Sequence, residues 1–143
     1  MRATLLVLPL LLFVLPGAAA AATSAHFRSP SGNINCRMEP SFVDCLVRAN
    51  TWPHRPRRPA SCDVDWFPAE LVLSGRRVRV GSCRGDVGPS CGPGLPCSVL
   101  RYGRSVTVGR FRCLSARSAV TCRRTDGRRV GFRISREGYR VFR

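Results

Sequence analysis

Gly32-Asn33-Ile34-Asn35-Cys36, followed after six residues by Val43-Asp44-Cys45, returns later in the chain as Gly109-Arg110-Phe111-Arg112-Cys113 and Val120-Thr121-Cys122. Both copies read Gly-x-apolar-x-Cys-x6-Val-x-Cys. Side chains alternate across a strand, so the apolar residue and the first cysteine share one face, as do the valine and the second cysteine. Folding each copy about residues 39–42 or 116–119 sets its two cysteines opposite each other. In a non-hydrogen-bonded antiparallel pair the Cα atoms approach about 4.5 Å, within the reach of a disulfide. The spacing predicts Cys36–Cys45 and Cys113–Cys122. Each bridge is worth roughly 2–3 kcal/mol through the restricted unfolded chain, and each pins its hairpin's register.

The remaining sequence extends the β reading. Arg76-Arg77-Val78-Arg79-Val80 and Arg129-Val130-Gly131-Phe132-Arg133-Ile134 alternate charged with apolar positions, and Glu70–Leu73 and Ser105–Val108 are short strand candidates beside Gly75 and Gly109. No stretch sustains a helical period. Ser135 is placed to cap a single helical turn before Gly138. Between the first hairpin and Cys62, prolines 53, 56 and 59 recur every third residue, which favours a polyproline II strap held over the sheet by Trp52. The expected fold is all-β: a small disulfide-stapled antiparallel sandwich or barrel with two similar cysteine-bridged hairpins.

The compartment is read from the first residues. Met1-Arg2, an apolar run from Ala3 to Leu15, Pro16-Gly17 and small residues at 18–22 form a signal-peptide pattern. The run falls short of the ~20 apolar residues a spanning helix needs, and no cysteine lies near the cleavage region to carry a lipid. Residues 1–22 are therefore expected to be a signal peptide and residues 23–143 a single secreted β domain, monomeric and soluble after export. All eight cysteines fall in that exported part, where an even count signals disulfides. Structural zinc is disfavoured, because no Cys-x-x-Cys occurs and His26 and His54 are the only histidines. For the other four cysteines the preferred pairing is Cys62–Cys83 with Cys91–Cys97, the latter closing Gly92-Pro93-Gly94-Leu95-Pro96. Cys83–Cys91 with Cys62–Cys97 stays open.

Charge is the second outlier. The chain holds 24 arginines, no lysine and eight acids, for a formal net charge of +16 that includes Arg2. Guanidinium does not titrate at physiological pH, so the field is permanent and draws anionic polymers: nucleic acid, acidic polysaccharide or anionic lipid surfaces. Part of the arginine excess fits a GC-rich coding sequence; the scarcity of acids does not follow from it. Lysine-based covalent chemistry is excluded.

Phe27-Arg28-Ser29-Pro30-Ser31-Gly32-Asn33-Ile34-Asn35-Cys36, Cys62-Asp63-Val64-Asp65-Trp66, Leu100-Arg101-Tyr102-Gly103, the second hairpin and Gly131-Phe132-Arg133-Ile134-Ser135-Arg136-Glu137-Gly138-Tyr139-Arg140-Val141-Phe142 together resemble a family of secreted actinobacterial domains of unknown function. The resemblance spans essentially the whole chain after residue 22. Members carry six of these cysteines, which implies that Cys91 and Cys97 are an added local pair and supports the preferred pairing. It implies no activity, cofactor or catalytic residue, and this chain is richer in arginine than the family pattern requires.

No catalytic constellation emerges. Gly-x-Ser-x-Gly and phosphate-cradling glycine loops are absent, and an acid–base site would have to draw on His26, His54, Glu39, Glu70 or Glu137 beside arginines, with nothing fixing their geometry. The candidate binding residues are Arg123, Arg124, Arg128, Arg129, Arg133, Arg136 and Arg140, with Arg143 beyond them, interleaved with Phe132, Tyr139 and Phe142. Arginine beside exposed aromatics suits single-stranded nucleic acid. The alternation Val130-Phe132-Ile134 instead turns apolar residues inward and leaves a charged face. The leading expectation is a non-enzymatic binder of anionic envelope or extracellular polymers, with no cofactor and no metal. The alternatives are an inhibitor or toxin-like module presenting the Cys91–Cys97 loop, and a weak hydrolase or nuclease using His54 or His26.

Overall fold

A computed structural model describes residues 23–86 and 88–143; the signal peptide read at residues 1–22 lies outside them. The described residues form eleven strands and no helix: β1 (Ala25–Arg28), β2 (Ile34–Glu39), β3 (Phe42–Val47), β4 (Trp66–Ser74), β5 (Arg77–Cys83), β6 (Ser98–Val99), β7 (Ser105–Val108), β8 (Phe111–Ala116), β9 (Ala119–Arg124), β10 (Gly131–Ile134) and β11 (Tyr139–Phe142). Sheet I has the order β5-β4-β3-β2-β1-β6 and sheet II the order β11-β10-β9-β8-β7. The sheets share no ladder, so the architecture is a sandwich and not a barrel. Pairing is antiparallel throughout except between β6 and β1, which run parallel.

The repeated motif supplies the centre of each sheet. In both copies the cysteines face each other in register, Cys36 with Cys45 and Cys113 with Cys122, and the Cα atoms of each pair are 4.1 Å apart. The hairpins turn through Pro40-Ser41 and Arg117-Ser118. The motif glycines have a backbone reason: Gly32 and Gly109 sit at φ of 70° and 53°, a region where a side chain is strained. The valines and cysteines point into the interface, and the two cystines stack across it, Cys45 Sγ lying 3.8 Å from Cys122 Sγ. Around them Phe27, Met38, Val43, Leu71 and Leu73 from sheet I meet Val108, Phe111, Val120, Phe132 and Ile134 from sheet II, all buried. The stacking also brings the sulfurs of Cys36, Cys45 and Cys122 within 4.8 Å of one another; they are neutral cystine sulfurs, not the thiolates that ligate metals.

The other bridges are Cys62–Cys83 and Cys91–Cys97, the preferred pairing. The proline segment is fastened to the sandwich through two tryptophans. Trp52 is buried and donates from Nε1 to the Ser135 carbonyl at 3.0 Å, while Trp66 Nε1 reaches Pro56 O at 3.2 Å. The helical turn at Ser135 is corrected: residues 135–138 form the β10–β11 hairpin turn, in which Ser135 Oγ accepts the Gly138 N–H at 3.2 Å. The same capping chemistry that starts a helix closes a tight turn when strands flank it on both sides.

A second crossing segment follows from the topology. β5 and β6 occupy opposite edges of sheet I, and its inner face is occupied by sheet II, so the chain between them crosses the outer face. Arg84 anchors the start of that crossing. Its Nε and Nη2 donate to Glu70, the Nη2 contact being 2.6 Å, and its guanidinium lies 3.8 Å over the Phe67 ring.

Candidate functional site

The strand register of sheet II decides which arginines share its solvent face. With Cys113, Cys122 and Phe132 turned inward, the intervening positions point outward. One row across the sheet runs Thr107, Arg112, Arg123, Gly131, Phe142; the next runs Ser105, Leu114, Thr121, Arg133, Arg140. Arg112 stands directly opposite Arg123, and Arg133 directly opposite Arg140. Like charges opposed on a ladder repel, and no acid occupies either row. Residues 98–143 hold thirteen arginines against two acids, Asp126 and Glu137, both in turns. This is a face whose own charges are left uncompensated within the sheet.

Arg123, Arg133 and Arg140 are thus brought together. Arg112, absent from the sequence-based set, joins them. Its signal was present: it lies between inward Phe111 and inward Cys113, so period two aims it outward. Arg124 departs from expectation by the same rule. Two residues beyond Cys122, it points inward, is buried, and is held by the Asp126 carboxylate and the Gly75 carbonyl. Arg124 in turn holds the Asp126 carboxyl down at a pKa of about 2. Arg128 and Arg129 occupy the β9–β10 turn, and Arg136 the β10–β11 turn at the opposite end of β10. There Arg136 lines an end cavity of about 310 Å³ with Tyr102, Arg117 and Glu137.

Gly131 shapes the face. It stands opposite Arg123, and a Cβ there would clash with the Cys122 carbonyl oxygen and lie 2.9 Å from Arg123 Cα. Arg123 extends to Phe142, its guanidinium 4.3 Å from the ring centroid. Three shallow depressions link into a track. The first, about 600 Å³, is lined by Arg112, Leu114, Thr121, Arg123, Arg124 and Thr125. The second, about 410 Å³, shares Arg123 and adds Arg129, Arg140, Phe142 and Arg143. The third, about 530 Å³, shares Phe142 and Arg143 and reaches Arg76, Arg77 and Arg79 beside β5. No acidic side chain lines any of the three.

Sheet I contrasts with this. Its outer face carries Asp44 and Glu70, both buried and both paired: Arg37 Nη2 lies 2.8 Å from Asp44 Oδ2, and Arg84 clasps Glu70. Burial pushes the Asp44 carboxyl above the ordinary range, against the opposing pull of Arg37. The acid–base candidates do not converge. His26 is on β1 opposite Arg37, His54 on the exposed proline strap, Glu39 at the end of β2, Glu70 beneath Arg84 and Glu137 in the β10–β11 turn. Among the described residues no hydrogen bond joins any two of them. The Cys91–Cys97 loop is closed further by reciprocal backbone hydrogen bonds between Gly92 and Leu95, at 3.1 and 3.0 Å, and exposes Pro93 and Pro96.

A family model described as a family of unknown function, DUF6636, matches residues 6–142. The chain belongs to the DUF6636 family. No curated protein and no solved structure matches it. For this DUF6636 chain, four disulfides fit an oxidising, extracellular-type environment. No helix among the described residues is long and apolar enough to cross a membrane.

Proposed function

We propose that the protein is exported and binds anionic polymers, without catalysis, through the outer face of sheet II. The observation that carries this reading is the pair of opposed arginine couples, Arg112/Arg123 and Arg133/Arg140, on a face with no acid. An anionic ligand relieves their mutual repulsion, and guanidinium forks pair bidentately with carboxylate, phosphate or sulfate groups. On the outer face of sheet I the acids Asp44 and Glu70 are already held by Arg37 and Arg84, so the densest uncompensated charge lies on sheet II.

Retention on a sulfated-polysaccharide column tests it. The oxidised protein is expected to elute well above physiological salt, with affinity falling steeply as salt rises. R112Q/R123Q should elute much earlier than R55Q/R57Q, which removes equal charge from the exposed proline strap. Elution of the unmodified protein near physiological salt would reject polymer binding; equal shifts from the two variants would reject the face as its seat.

A further inference from the structure

The basic track does not stay on one face. Its first depression lies on the outer face of sheet II, its second straddles β11, and its third lies between β11 and β5, the edge strand of sheet I. On β5, Val78 and Val80 pack against the core while Arg77 and Arg79 stay exposed, so these arginines continue the track past the edge of the sandwich, where Arg79 also borders the depression that holds Asp44, Glu70 and Asp86. Three strand spacings across sheet II plus one intersheet distance give a path of about 25 Å, with a corner at β11. A ligand touching Arg112 and Arg79 together has to bend sharply within that length. Duplex nucleic acid, with a persistence length of about 500 Å, does not.

The aromatic side chains add a second restriction. Single-stranded nucleic acid is held by stacking bases on open rings. Here Phe142 is half-buried with the Arg123 guanidinium over its ring, Tyr139 is partly exposed but packs on Trp52 with centroids 4.8 Å apart, and Phe111 and Phe132 are buried. Beside the exposed Leu114, the side chains standing among the arginines carry hydroxyls: Thr121 and Thr125 in the first depression, with Ser105 and Thr107 on the neighbouring strand. Anion-pairing forks interspersed with hydroxyl partners suit a chain of sugars bearing acidic groups.

Resting on the polymer-binding reading above, we infer that the ligand is a flexible acidic polysaccharide that rounds the β11 edge and engages Arg76, Arg77 and Arg79 together with the face of sheet II.

The test is titration of the oxidised full chain with long-chain heparin, oligo-dT and a short DNA duplex at matched charge, and with a heparin tetrasaccharide. Heparin long enough to span the path should bind tightest. R77Q/R79Q should weaken it by about fivefold per arginine removed and lower the slope of log K against log salt by roughly one for each arginine replaced. A heparin tetrasaccharide and the duplex, each confined to the face, should respond to R112Q/R123Q but not to R77Q/R79Q. Unchanged long-chain affinity and salt slope in R77Q/R79Q would overturn the wrapped path. Tighter binding of oligo-dT than of heparin would overturn the glycan assignment. Binding of none of the probes would instead reject polymer binding itself.

Discussion

Replacing Arg84 by Met tests what holds the crossing segment to sheet I. Glu70 is 1% exposed, and Arg84 gives it both Nε and Nη2, the closest contact being 2.6 Å. Arg84 also donates to the Asp86 backbone and covers the Phe67 ring. Methionine keeps most of the apolar stem and removes the charge, leaving a carboxylate buried without its cation. Breaking a buried pair from one side costs about 3–5 kcal/mol, most of it the uncompensated charge. In a domain of this size that corresponds to a fall in Tm on the order of 10–20 °C. Urea unfolding at neutral pH without reductant, followed by the fluorescence of Trp52 and Trp66, measures the loss directly. Adding E70Q to R84M removes the stranded charge and should recover about half of it. A cost below about 1 kcal/mol for R84M, or no recovery in the double variant, would show that the pair is not the anchor.

Two further perturbations follow from the other sheet. Arg124 holds Asp126 at a pKa of about 2, below its value in an unfolded chain, so the pair's contribution is complete above pH ~4 and disappears as pH falls toward 2; denaturation midpoints measured from pH 5 to 2 should drop across that window, and less so in D126N. Gly131→Ala places a methyl against the Cys122 carbonyl and Arg123 Cα, where backbone has to move, so a loss of about 1–3 kcal/mol is expected; thermal unfolding indistinguishable from the unmodified protein would contradict the close β9–β10 approach.

What could be read in the sequence was local. Period-two alternation placed the motif cysteines face to face, and the same alternation already contained the inward turn of Arg124 and the outward turn of Arg112. The contribution of residues 76–79 could not be read that way. Their alternation announces a strand, but their nearness to Arg143 depends on how two sheets stack. The pairing of Arg84 with Glu70 is similar: β5 folds back on β4 with a register shift between Phe67 and Leu71, which no spacing rule specifies. The β1–β6 parallel pair was invisible because it joins two residues of a very short strand to a distant edge. Ser135 misleads because one hydrogen-bonding pattern serves both a helix start and a hairpin turn.

The placement of the cross-links has a consequence for assembly. Cys36–Cys45, Cys62–Cys83 and Cys91–Cys97 all lie on the side of sheet I, and Cys113–Cys122 lies within sheet II. The two cystines that touch at the centre are neighbours, not a tether, and only the backbone of residues 100–104 joins one half to the other. Two molecules could therefore trade halves and form an intertwined dimer with every sulfur bond intact, and a single nick in that connector would yield two pieces that denaturant separates without any thiol reagent.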